Sequence, residues 1–147
     1  MRDSFSAATG PRPVSAWIDF LFFLGLALLV CHELDAVAQS EWRLLWVLGN
    51  LPEQTARTAF VALHVPLFAV LFWLTGSSAR RVRLVSQAAV DAFLVIHAGL
   101  HWRLNDHEFY TFHSALSELL IFGGGAVGLA HLLVLLGRRS LSNSRWA

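Results

Sequence analysis

The sequence has no lysine, one cysteine and one tyrosine in 147 residues. The single thiol, Cys31, excludes an internal disulfide and every zinc module built on cysteine pairs. All eleven basic residues are arginine, and ten acids leave a net charge of only +1. There is no basic stripe for a nucleic acid to bind, so no nucleic-acid partner is expected. Charged residues make up 14% of the chain, against about a quarter of a soluble domain. The sequence also lacks internal repeats and low-complexity tracts.

What fills the chain is hydrocarbon. Hydrophobic residues account for 56% of it, mean hydropathy is strongly positive, and the apolar runs are too long for a soluble core to bury. About 20 consecutive apolar residues in a helix cross a bilayer. The expected fold is therefore all-α, an integral membrane four-helix bundle over 16–137, with spans at about 17–38, 55–74, 82–102 and 112–136. Residues 1–15, rich in Ser, Pro, Gly and Ala, read as a cytoplasmic tail, and 138–147 as a short basic cytoplasmic tail. Trp42, Leu45, Trp46 and Val47 are spaced along one side of a helix, which predicts a short interfacial helix between spans one and two.

Pro52 and Glu53 suit the first turn of span two, and Pro66 predicts a kink or loosened hydrogen bonding near His64. Gly123, Gly124, Gly125 and Gly128 let helix backbones approach closely in a membrane and make that face a site for homo-oligomer contact. Arg2, Arg12, a short apolar run and Ala36-Val37-Ala38 also resemble the parts of a cleavable signal peptide. The histidine and acids ahead of that cut, and the long leading segment, argue against cleavage.

Arginine sets the expected orientation. The N-terminal tail carries two, the second connection three (Arg80, Arg81, Arg83) and the C-terminal tail three. In the other connections Arg43, Arg57 and Arg103 are outnumbered by Glu33, Asp35, Glu41, Glu53, Asp106 and Glu108. The positive-inside rule then puts both termini in the cytoplasm, N-in and C-in. Trp17, Trp73 and Trp146 fall at the inner boundary on this topology, and Trp42, Trp46 and Trp102 at the outer one. The expected location is the inner (plasma) membrane of a bacterium.

On that topology six of seven histidines come to the extracytoplasmic side: His32, His64, His97, His101, His107 and His113. His97 and His101, four residues apart, share one helix face and can ligate one ion. His32 and Asp35, three apart, share another. Ionisable groups inside a membrane are expensive and usually pair within the bundle. Imidazole with carboxylate suits a transition metal, with zinc or iron favoured. The expected ligand set is drawn from His32, Asp35, His64, His97, His101, His107, His113 and Glu118. Glu33, beside a ligand without sharing its face, is the expected general acid or base, and Asp91 a proton-relay residue. His131 and Cys31 read as packing residues.

His32-Glu33-Leu34-Asp35-Ala36, then Glu41-Trp42-Arg43, His97-x-x-x-His101 and His113 in a four-span chain resemble small uncharacterised bacterial membrane proteins with a histidine-acid word on helix one. The family named for its His-x-x-Glu-Glu motif is the nearest type, although Asp35-Ala36 stands where that motif has paired glutamates. The resemblance implies a membrane metalloprotein and no particular chemistry. Two functions follow as expectations. One is a metal-dependent enzyme, hydrolase or oxidoreductase, acting on a lipid-like or small substrate at the outer membrane face. The other is a metal or haem binding or transport protein, or a subunit of a membrane complex, without catalysis.

Overall fold

A computed structural model describes residues 13–143, with side chains over 16–138. Its elements are α1 (Pro13–Ala38), α2 (Glu53–Thr75), α3 (Arg80–Leu104) and α4 (Ala115–Asn143), and among the described residues there is no strand. Each of the four is long and apolar enough to cross a membrane, and together they form an all-α four-helix bundle. α1 starts at Pro13 and α4 runs on to Asn143, so helix enters both stretches expected as tails. Residues 1–12 and 144–147, Trp146 among them, lie outside the described residues.

α4 packs along both α1 and α3, whereas α2 is held mainly through α3 and the α1–α2 connection. The α3–α4 contact is close because glycine permits it: a Cβ on Gly125 would stand 2.8 Å from the Ala98 Cβ. Gly124 and Gly128 also face Leu94 of α3, and Gly123 faces Leu28 of α1. Gly124, Gly125 and Gly128 thus serve the close approach of α4 to α3 within the chain. Phe22, Leu26, Leu29 and Leu94 fill the middle of the bundle. Ala36, Trp42, Leu48, Ala56, Phe60, Tyr110, Phe112 and Ile121 close the end where α1 and α3 finish and α2 and α4 begin.

Two connections at that end differ from expectation. The α1–α2 connection is two single 3-10 turns, Glu41–Arg43 and Leu48–Asn50, instead of one interfacial helix. Ser40 is left-handed, at φ 59° and ψ 42°, a conformation that ends a helix and reverses the chain. Trp42 consequently turns inward and is buried, whereas Trp46 stays exposed. The second turn tucks under the first: a Cβ on Gly49 would meet the Arg43 carbonyl oxygen at 2.9 Å. α4, expected from 112, begins at Ala115 because Ser114 caps it, accepting the Ser117 N–H on its hydroxyl at 3.0 Å. Tyr110 and Phe112, ahead of the cap, are buried plugs in the bundle end.

Candidate metal centre

Three chain segments meet beneath those plugs. α1 brings His32 to within two turns of its C-terminus, α3 brings His97 and His101 on one face of its last turns, and the reversal at Ser40 sends Glu41 back over them. Each of the four offers one ligand atom, and these atoms all lie within 4.8 Å of one another. His32 Nε2 stands 2.8 Å from His97 Nε2 and 3.4 Å from Glu41 Oε2. His101 Nε2 stands 3.8 Å from Glu41 Oε1. Donor atoms on a tetrahedral ion with bonds of about 2.0–2.1 Å are roughly 3.3 Å apart, so the observed separations bracket that spacing.

The surroundings fix these side chains. Trp42, next to Glu41, is anchored against Phe60 and donates Nε1–H to Glu53 Oε1 at 3.1 Å. Arg43 donates Nε–H to Glu53 Oε2 at 3.1 Å, so the first residue of α2 clamps both neighbours of the turn. The Phe112 ring packs edge-on against His101 at 4.8 Å and lies 5.6 Å from His32. With His101 Nε2 towards Glu41, its Nδ1 is 3.3 Å from the Tyr110 hydroxyl. Thr111 donates its hydroxyl to the Gln39 carbonyl at 2.9 Å, tying the α3–α4 loop to the end of α1.

His32, His101 and Glu41 are 1%, 3% and 8% exposed, and His97 is half-buried. Burial pushes the Glu41 carboxyl up, but the contact with His32 and the positive charges of His32, His97 and His101 when protonated outweigh it. The net effect holds the group below the usual carboxylate range. Burial, followed by the Glu118 and Glu41 carboxylates, pushes the Tyr110 phenol up, so its hydroxyl stays protonated at neutral pH.

Among the described residues, the buried side-chain atoms with no hydrogen-bond partner are His32 Nδ1, Asp35 Oδ2 and Glu41 Oε2. Two of them belong to the group of four. Glu41 Oε2 is near His32 yet out of line for a hydrogen bond. A buried carboxylate oxygen left this way is costly, and a cation among the four donors would satisfy it. Three imidazole nitrogens and one carboxylate suit zinc or ferrous iron better than a soft ion such as cuprous copper.

Of the expected ligands, His32, His97 and His101 come together, and the others do not join them. Asp35 lies one turn beyond His32, with Oδ1 accepting from Gln39 Nε2 at 3.4 Å. His107 is exposed and accepts the Phe109 N–H within its own loop. His113 and Glu118 are exposed, the former beside Tyr110. His107 and His113 sit in the loop between α3 and α4, and Glu118 lies on an exposed side of the first turn of α4. His64 hydrogen bonds to the Phe60 carbonyl through Nδ1 at 2.7 Å. Its Nε2 meets Glu33 Oε2 at 2.7 Å. Asp91 is two turns short of His97 and pairs instead with His131, Oδ2 to Nδ1 2.7 Å, both buried.

Sequence reasoning missed two features, Glu41 as a member of the group and His131 as the partner of Asp91. The signal for Glu41 was its neighbour Trp42, whose burial carries the acid inward. For Asp91 and His131 the signal was that two lone ionisable groups inside apolar spans need a partner. Compared with known proteins, residues 18–138 match the model described as Family of unknown function (DUF6713). No curated protein and no solved structure matches the chain.

Proposed function

The chain belongs to the DUF6713 family, and on that premise we propose that it is a membrane-embedded metalloprotein holding one transition-metal ion, zinc or iron, on His32, Glu41, His97 and His101. The observation that carries this reading is the convergence of four donor atoms from three segments around an unsatisfied, buried Glu41 oxygen. Tyr110 is placed to support it from behind: with Nδ1–H donating to the Tyr110 hydroxyl 3.3 Å away, His101 would keep Nε2 free as the ligating atom. The arginine bias supports a position for the centre near the extracytoplasmic face of the inner membrane.

We further read the centre as catalytic, acting by hydrolysis on a lipid-like substrate. A bound ion would supply a Lewis acid and lower the pKa of a coordinated water. Glu33 projects about 100° round α1 from His32 and is held by His64, where it is suited to accept the water's proton. An apolar groove of about 310 Å³ runs between α2 and α3 from Thr75 to Phe93, with Glu33 its one charged lining residue. Phe93 stacks on His97 at 5.2 Å, so a chain lying in the groove would end at the half-buried ligand. A second reading, a metal carrier without catalysis, is favoured by the number of donors: four protein ligands close a tetrahedral zinc site, whereas catalytic zinc keeps a position open.

Elemental analysis of detergent-purified protein tests the shared premise, and lipid hydrolysis by the metal-loaded protein separates the readings. The catalytic reading expects Glu33→Gln to keep the metal and to lose turnover by about 10²-fold or more. Bound metal with no turnover in the unaltered protein would leave the carrier.

A further inference from the structure

At the end of the bundle away from His32, His97 and His101, a cleft of about 420 Å³ opens between α1, α3 and α4. Its lining divides by chemistry. Ile18, Leu84, Ala88, Leu132, Leu135 and Leu136 form the walls, while Arg80 and Arg83 of α3, Arg138 of α4 and Asp19 of α1 stand around it. Three arginines against one aspartate leave the lining net positive. None of the three arginines is in an ion pair with an acid among the described residues. Arg83 is half-buried because it donates Nη1–H to the Ser77 carbonyl of the α2–α3 turn at 2.8 Å.

Gln87 adds a second observation. It lies one turn beyond Arg83 on the same face of α3, lines the cleft, and is 8% exposed. Its amide gives the cleft a neutral polar group one turn deeper than Arg83. A soluble anion would need only the arginines. Leucines on the other wall add a requirement for hydrocarbon, and a cleft of this size is within the range that holds a small ligand.

We propose that this cleft binds one anionic phospholipid, its phosphate held by Arg80, Arg83 and Arg138, its glycerol esters level with Gln87, and its first acyl carbons lying on Leu132, Leu135 and Leu136. Guanidinium groups match phosphate oxygens in pairs, and basic pockets between membrane helices recognise anionic headgroups. The proposal is independent of the metal centre.

The test is native mass spectrometry of the full-length protein, delipidated in detergent and offered equal phosphatidylglycerol and phosphatidylcholine. The expected adduct is one lipid per chain, enriched in phosphatidylglycerol. Arg80→Gln with Arg83→Gln should cut that enrichment about five-fold per arginine, while Arg81→Gln, outside the cleft, leaves it intact. Equal binding of both lipids, full enrichment in the Arg80→Gln, Arg83→Gln variant, or an equal loss in Arg81→Gln would overturn the site. Displacement of the lipid by inorganic phosphate at constant ionic strength would assign the cleft to a soluble phosphate and also contradict the proposal.

Discussion

Glu41 owes its position to its predecessor. Left-handed backbone costs a residue with a Cβ about 1–3 kcal/mol, and Ser40 holds it because the buried Trp42 and the Glu53 clamp fix the turn that follows. Ser40→Gly should preserve both fold and bound metal, with a melting temperature equal to or above the parent's. Proline cannot reach a φ of 59°, so Ser40→Pro should release Glu41 and the metal. Glu41 also sets a pH dependence. Its carboxyl titrates lower in the folded protein than the usual carboxylate value, about 4.3 in an unfolded chain. Its stabilising contribution is therefore complete above that value and is lost as pH falls through the lower folded one. A thermal-melt series from pH 7 to 3 should show this loss in the parent, and Glu41→Gln should flatten it. A series in which the two fall in parallel would assign the loss to other groups.

At the scale of the element, packing of α3 on α4 and the placement of His97 and His101 are one problem. Ala98, which a Gly125 Cβ would strike at 2.8 Å, sits between His97 and His101 on α3. Gly125→Leu should cost about 1–3 kcal/mol of stability and reduce metal retention as the two imidazoles move. Gly99→Ala, where a Cβ would meet nothing within 4 Å, should change neither, as measured by melting temperature and metal content. The glycine run was legible in the sequence as a close helix approach, but its partner was not. Spans with apolar residues on most sides carry little information about which face points inward. For that reason Asp91 and His131 could not be paired in advance, although each was visible as an intramembrane ionisable residue.

On the scale of the whole molecule, the bundle has two chemically distinct ends. Histidines and Glu41 gather where α1 and α3 finish, and Arg80, Arg83 and Arg138 gather at the other end. Length and hydropathy made the four spans readable to within a few residues, because crossing hydrocarbon demands long apolar helices. His32, His97 and His101 were readable as neighbours because alternating spans return to the same face. Glu41 was not, since its approach depends on a reversal at Ser40 that Gln39-Ser40-Glu41 does not announce as a glycine would. His107 and His113 came to the same end but stayed exposed, because being at one face does not fix which way a loop side chain turns. Orientation gives a further expectation: a reporter fused at Ser142 should be active in the cytoplasm, and one inserted after Asp106 only outside it.

Metal content of purified protein bears most directly on the centre. The unaltered chain should carry about one zinc or iron ion, and His97→Ala, His101→Ala and Glu41→Gln should each lose most of it. His131→Ala, which removes a buried imidazole from outside the group, should retain it. No bound transition metal in the unaltered protein, or the same metal content in all four variants, would contradict the account.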